Sequence, residues 1–211
     1  MTKRIKCISP SWDDIRAKSE ILARNIINSN YNPDIIIAIA RGGLVPAMNL
    51  SDILGVKNIA SIQIKHWSKT AEKDEKVIIE HPVEIDLSGK TVLIAEDISD
   101  TGMSLIAAYE FIKKLNPSEI KTAVIHYVTT SKFKPDFCAE RVDRKDAFIW
   151  VVYPWNFTED TINLIKKSDA SVEDVDEIKQ KLEDNYEFCV DMEKLKKIIP
   201  EMKRRGDLKK I

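Results

Sequence analysis

A short segment near the middle of the chain combines three acids with a turn of small residues. Glu96 and Asp97 follow an apolar run, Val92 to Ala95, and Asp100 precedes Thr101-Gly-Met-Ser104. The run predicts a buried parallel strand, and the small residues predict a turn at a helix start. Backbone amides at a helix start bind a phosphate, whereas carboxylates repel it and serve hydroxyl groups, a metal ion or a proton. The segment therefore predicts a ligand with both a phosphate and a polyol.

A second group of candidate residues lies earlier in the chain. The run Ala40-Arg41-Gly42-Gly43 ends a β-branched strand and precedes an apolar helix. Glycine lets the backbone approach a ligand closely, and arginine supplies a fixed cation. This combination suits a diphosphate. Taken alone, the Arg-Gly-Gly run is a weak signal and is better explained as an ordinary turn before a helix.

The segment from Thr91 to Leu105 resembles the 5-phosphoribosyl-1-diphosphate (PRPP) signature of type I phosphoribosyltransferases, with Glu96 where aspartate is more usual. The resemblance implies that Glu96 and Asp97 hold the ribose hydroxyls and Mg²⁺, and that Asp100 is the catalytic acid or base. The 5′-phosphate would then be bound by the turn, formed by Ser99, Asp100, Thr101, Gly102, Met103 and Ser104. By the same resemblance, residues 40–43 form the pyrophosphate loop, which often has a non-proline cis peptide before the arginine.

A third segment, around Trp150, resembles the xanthine-guanine branch of that family. The resemblance implies that Trp150 stacks on a purine base and that the backbone of Val151 reads the base edge. Val128 occupies the position where this branch usually has a lysine that donates to the base O6, and Lys132 and Lys134 follow beyond that position. A pocket without this donor does not favour a carbonyl, so we expect adenine as the preferred base, with a 6-oxopurine as the alternative.

The elements around these residues predict an α/β fold. Strands alternating with helices indicate a central, mostly parallel sheet flanked by helices, with ligands at the carboxyl ends of the strands. The predicted strands are 34–40, 59–64, 92–95, 121–128 and 147–152, and the helices between them are 11–28, 44–54 and 105–115. Residues 65–76 are polar and predict a mobile loop or a hairpin.

Beyond residue 156 the strand pattern disappears, and three helices are predicted, at 159–167, 172–186 and 192–205. We therefore expect a phosphoribosyltransferase core at 1–156 and a helical C-terminal extension at 157–211. Such an extension could contact a second copy of the chain or form a lid beside the pocket.

Composition narrows the class of protein further. The 211 residues carry a net charge of −1, which predicts no general attraction to nucleic acid. No apolar run reaches the ~20 residues that span a membrane, no signal peptide is evident, and the three cysteines lie far apart, so a cytoplasmic protein is expected.

The resemblance implies a purine salvage enzyme, expected as a homodimer. It would convert PRPP and a purine base into a purine nucleoside monophosphate and pyrophosphate. A non-catalytic sensor of PRPP or of nucleotides is the alternative from another functional class.

Overall fold

The computed structural model describes residues 5–67, 76–145, 147–171 and 174–207. Its strands are β1 (Ile5–Ile8), β2 (Ile35–Ala40), β3 (Ile59–Trp67), β4 (Lys76–His81), β5 (Thr91–Ser99), β6 (Glu119–Val128), β7 (Phe137–Val142) and β8 (Phe148–Val151). Its helices are α1 (Trp12–Asn28), α2 (Leu44–Leu54), α3 (Met103–Lys113), α4 (Phe157–Ser168), α5 (Val175–Tyr186) and α6 (Met192–Arg205). None of the helices in these ranges is both long enough and apolar enough to span a membrane.

The chain divides into two compact units. The larger unit is Asp13–Asp143, and the smaller unit combines Met1–Trp12 with Arg144–Ile211. The three C-terminal helices therefore share a unit with β1 and β8. That residues 157–211 form a separate extension of a core at 1–156 stays a prediction.

The larger unit is built on a six-stranded sheet of order β4-β3-β2-β5-β6-β7. Every neighbouring pair is parallel except β3 and β4, which confirms the predicted mostly parallel sheet. The chain runs outward from β2 to β3 and later returns to β5 beside β2. The order of the strands thus reverses between β2 and β5, and ligands of such sheets bind outside the carboxyl ends of the strands at this reversal.

Aliphatic side chains of the central strands explain why the sheet lies inside the unit. Residues 35–39 of β2 and 92–97 of β5 are all buried. Leu105, Ala108 and Ile112 of α3 pack in the same core cluster as strand residues such as Ile37. A strand covered on both faces reads as a continuous apolar run, which is why β2 and β5 were predictable.

The smaller unit has its own sheet and core. β1 pairs in parallel with β8, with Cys7 opposite Trp150. Its core joins Cys7 and Val152 to apolar residues of α4, α5 and α6. Burial raises the pKa of the Cys7 thiol to about 12, so this thiol stays protonated.

Several boundaries differ from the predictions. β5 continues to Ser99, so Glu96 and Asp97 lie inside the strand and not beyond its end. β8 pairs with β1 and is not a strand of the central sheet. The strands β1, β4 and β7 were not predicted, because each is short or follows no clear alternation of apolar residues.

For residues 65–76, the flanking strands β3 and β4 pair antiparallel, with Lys65 opposite Ile78, which favours the hairpin. Residues 68–75 themselves lie outside the described residues.

Candidate active site

Two loops meet where the sheet reverses its strand order. One loop joins β2 to α2 and contains Arg41, and the other joins β5 to α3 and contains Asp100. The two strands are parallel neighbours, with Ala38 opposite Ala95, so both loops leave the sheet at the same edge. The peptide between Ala40 and Arg41 is cis, as the resemblance implied. The predicted pyrophosphate loop and the predicted PRPP turn are therefore brought together.

The two glycines of the first loop contact β5 directly. A Cβ atom on Gly42 would lie 2.0 Å from Oδ2 of Asp97, and one on Gly43 would lie 2.3 Å from the carbonyl oxygen of Ala95. Real Cβ atoms do not approach other atoms this closely. Only glycine lets the backbone of this loop lie against the Asp97 carboxylate.

Glu96 and Asp97 are buried, each with 7% of its surface exposed. The backbone amide of Asp97 donates to Oε1 of Glu96 at 3.1 Å. Burial, and then the negative charge of Asp97, raise the pKa of the Glu96 carboxyl well above its usual value. Two adjacent buried carboxylates are destabilising unless a cation or hydroxyl donors approach them. The pair is therefore suited to a ligand that brings such groups.

These two acids are also the candidate ligands for Mg²⁺. Across the described ranges there is no group of three or more histidines, cysteines or acids arranged to hold a metal. Mg²⁺ in phosphate-handling sites uses one or two protein carboxylates and takes its other oxygens from substrate and water. The two carboxylates of Glu96 and Asp97 match that donor set.

The turn after β5 forms a pocket at the start of α3. The pocket has a volume of about 180 Å³ and is lined by residues 96–102 together with Ser104 and Leu105. Ile106 donates the first intrahelical hydrogen bond of α3, to the carbonyl of Gly102 at 3.0 Å. The amides before it face the helix N-terminus, where they can bind an anion. The predicted phosphate turn, apart from Met103, and the acidic pair thus line one pocket.

The loop at residues 131–133 supports this turn, and the sequence did not reveal that contact. The amide of Lys132 donates to the carbonyl of Thr101 at 3.1 Å. The Ser99 hydroxyl lies 2.9 Å from the Ser131 hydroxyl and donates to the carbonyl of Phe133 at 3.0 Å. The Ser99 side chain therefore holds the loop in place. These contacts join residues about thirty positions apart, and no local pattern in the sequence signals them.

The same loop leaves no room for a side chain on Gly102. Its φ is +82°, and a Cβ atom there would lie 2.6 Å from the backbone nitrogen of Phe133. Both the left-handed backbone and the close neighbour therefore require glycine.

The predicted base-binding residues are divided between the units. Val128 is fully buried at the end of β6 in the larger unit. Trp150 and Val151 belong to β8 in the smaller unit. Trp150 is 38% exposed and stacks with Phe148 at a centroid distance of 6.2 Å, so it is not a core residue. The contacts of Val128, Trp150 and Val151 with a base stay predictions.

A larger pocket of the same unit lies at the opposite edge of the sheet. It has a volume of about 500 Å³ and includes Asp34 and Asn58, which precede β2 and β3. This is the amino end of the strands, and ligands of parallel sheets bind at the carboxyl end. The smaller pocket lies at the carboxyl end of the strands and contains two carboxylates, so we favour it as the active site.

A mostly parallel sheet whose strand order reverses beside an acidic pair and a glycine-containing turn at a helix start is the arrangement expected of the type I phosphoribosyltransferase class. The model of the phosphoribosyl transferase domain family matches residues 11–161. The chain belongs to this family and is a phosphoribosyltransferase.

Two similar proteins are also phosphoribosyltransferases. The xanthine-guanine phosphoribosyltransferase of Cereibacter sphaeroides is 27% identical over 151 residues, which cover 69% of this chain and 84% of that protein. The hypoxanthine-guanine phosphoribosyltransferase of Schizosaccharomyces pombe is 27% identical over 181 residues, covering 69% of this chain and 86% of that one.

Solved structures share the fold. A purine phosphoribosyltransferase from Pyrococcus horikoshii is 35% identical with a TM-score of 0.62, and the match covers 71% of this chain and 93% of that one. A hypothetical protein from Neisseria gonorrhoeae with bound ppGpp is 26% identical with a TM-score of 0.64, covering 74% and 91% of the respective chains.

Proposed function

We propose that this protein is a purine phosphoribosyltransferase that transfers the phosphoribosyl group of PRPP to a 6-oxopurine base. The products are a purine nucleoside 5′-monophosphate and pyrophosphate, and the reaction depends on Mg²⁺. The observation that carries the proposal is the pocket at the start of α3, where Glu96 and Asp97 share a lining with the phosphate turn. A purine salvage enzyme of this kind would act in the cytoplasm, and a homodimer remains expected.

The expected preference for adenine is not supported. The named relatives are xanthine-guanine and hypoxanthine-guanine enzymes, and the ppGpp in the Neisseria structure is a guanine nucleotide. The adenine prediction rested on a single missing side chain, the lysine replaced by Val128. A carbonyl on the base can be served by another donor, so the absence of one lysine does not decide the base.

Lys132 is a candidate for that other donor. Its amide is bonded to Thr101 of the phosphate turn, which fixes the backbone of Lys132 beside the pocket. Lys134, two residues later, is also exposed. We therefore expect Lys132→Ala to raise the KM for guanine about tenfold, with Lys134→Ala as the matched control that leaves it within about twofold. Equal effects of the two substitutions would exclude Lys132 as the specific donor.

The residues of the pocket and the neighbouring Arg41 loop each have a separate role in the proposed reaction. Amides of the turn hold the 5′-phosphate, and the loop of Arg41 holds the diphosphate. Glu96 and Asp97 orient the ribose hydroxyls and stabilise the positive charge that develops on the sugar ring as pyrophosphate leaves. Asp100 exchanges the proton that moves when the base nitrogen bonds to ribose C1. Bound Mg²⁺ would neutralise charge on the departing diphosphate.

The raised pKa of the Glu96 carboxyl couples Mg²⁺ binding to the loss of a proton from this group. Because burial and the charge of Asp97 raise the pKa of the Glu96 carboxyl, this group ionises at a higher pH than an ordinary glutamate, and a bound cation would oppose that shift. Binding of Mg²⁺ with PRPP is therefore expected to release protons.

Pyrophosphate release tests the proposal. Wild type and Asp100→Asn are assayed with PRPP, Mg²⁺ and each of guanine, hypoxanthine, xanthine and adenine. We expect at least one 6-oxopurine to exceed adenine about tenfold or more in kcat/KM, and Asp100→Asn to lower kcat about 100-fold while PRPP still binds. Release with adenine alone would refute the base assignment. Binding of PRPP without pyrophosphate release from any base would favour the sensor.

A further inference from the structure

A second ligand-sized pocket lies wholly within the smaller unit. Its volume is about 510 Å³, within the range of ~300–1,000 Å³ that is typical of small-molecule sites. It is formed by the segment before α1, the turn after β8, and the amino ends of α4 and α6, and its lining includes Trp12, Pro154, Phe157, Asp191, Lys194 and Lys197. None of these residues belongs to the pocket proposed for catalysis.

One part of this pocket is aromatic. Trp12 is 57% exposed, and its ring contacts Trp155 at a centroid distance of 5.8 Å and an angle of 49°. Phe157 lies in the lining, with Nζ of Lys194 above its ring at 5.4 Å from the centroid. An indole with more than half its surface in water can still stack on a flat ring. This part of the pocket therefore suits a heterocycle.

The other part of the pocket is cationic. Lys194 and Lys197 are three positions apart on α6, so they lie on the same side of the helix. Within the described part of the chain, no acid lies within ion-pair distance of either lysine, whereas the adjacent Lys196 pairs with Glu193 at 3.0 Å. The acid in the lining, Asp191, accepts from the amide of Glu193 at 2.6 Å and so caps the helix. Two lysines remain to bind an anionic group.

We propose that this pocket binds a mononucleotide, with its base stacked on Trp12 and its phosphate held by Lys194 and Lys197. A mononucleotide combines the flat ring and the anionic group that the two parts of the pocket select. The site is separate from the phosphate turn of α3, and its occupancy does not depend on the proposed catalytic function.

Titration calorimetry with GMP tests this site, with guanosine and inorganic phosphate as probes of the two halves. The double variant Lys194→Ala/Lys197→Ala removes the cations. The matched control is Lys196→Ala/Lys203→Ala, which removes two exposed lysines of the same helix that do not line the pocket. Thermal unfolding of each variant confirms that it is folded.

We expect the pocket double variant to lose one GMP site per chain, or to weaken it at least tenfold, while the control double variant keeps it. Trp12→Ala should weaken the same site about tenfold. Guanosine and phosphate should each bind it more weakly than GMP.

Failure of this inference can be told apart from failure of the proposed function. If wild type binds GMP at two sites per chain and the pocket double variant still has both, the inference is wrong. An unchanged single site in that variant also overturns it. A single site that disappears with the lysines supports the inference and counts against product binding at the phosphate turn.

Discussion

The two pockets are constructed from different parts of the polypeptide. The pocket beside β5 is small and is made by backbone, by two buried acids and by Gly102, which has no room for a Cβ atom. The pocket of the smaller unit is nearly three times larger and is made by exposed aromatic and lysine side chains. A backbone-built site tolerates few residue types and therefore leaves a motif in the sequence. A side-chain-built site leaves none, because its residues are common ones at distant positions.

The largest expected effect tests whether backbone shape makes the first pocket. Gly102→Ala should lower kcat/KM by about 100-fold or more, because the Cβ atom would displace either the phosphate turn or Phe133. Gly89→Ala is the matched control, since Gly89 has a φ of +71° with nothing within 4 Å. Both variants should lose about 1–2 kcal/mol of stability from the left-handed backbone. Equal loss of pyrophosphate release in both would contradict a steric role for Gly102.

The next effect tests the charge of the buried acids. Asp97→Asn keeps the shape of the side chain against Gly42 but removes its negative charge. We expect kcat/KM to fall about 100-fold, because the amide stabilises neither the sugar cation nor Mg²⁺. Asp86→Asn makes the same change at an exposed turn, where Asp86 accepts from the amide of Ser88, and should remain within about twofold of wild type. A fully active Asp97→Asn variant would remove Asp97 from the site.

The third effect is on stability and depends on pH. In the unfolded chain the Glu96 carboxyl loses its proton near the usual pKa of 4.5, whereas the folded carboxyl keeps it to a higher pH. Stability contributed by this group is therefore present below pH 4.5 and falls as pH rises, by up to about 1.4 kcal/mol per pH unit, until the folded group ionises.

Glu96→Gln cannot ionise, so its free energy of unfolding minus that of wild type should rise with pH above 4.5. Urea denaturation between pH 4 and pH 8 measures this difference, and Glu110→Gln, at an exposed position of α3, is the control. A difference that stays constant over this range would show that the pKa of Glu96 is not raised in the folded protein.

The smallest effect is expected at the second pocket. Without ligand, Lys194→Ala/Lys197→Ala should change the free energy of unfolding by no more than about 0.5 kcal/mol, because both side chains are exposed and unpaired with acids among the described residues. Denaturation in urea tests this value. A loss of several kcal/mol would mean that the lysines are part of the structure of α6, and the contrast between the two pockets would disappear.

The local elements were largely predictable. The bounds of α2 and α6 agree with their predictions, as does the central position of β2 and β5, because amphipathic helices and buried parallel strands each have a distinct apolar pattern. The division into two units and the pairing of β1 with β8 were not predictable, since they depend on contacts between segments more than a hundred residues apart. The support of the phosphate turn by residues 131–133 was missed for the same reason.

By itself, the sequence determined the family and predicted the chemistry of the phosphate turn, because a turn that must hold an anion through its amides restricts each residue to a narrow choice. Only the tertiary structure placed Gly42 against Asp97, buried Glu96 deeply enough to raise its pKa, and assembled Trp12 with Lys194 and Lys197. These properties depend on how closely distant segments pack. Packing distance is set by the whole fold, and local residue patterns do not encode it.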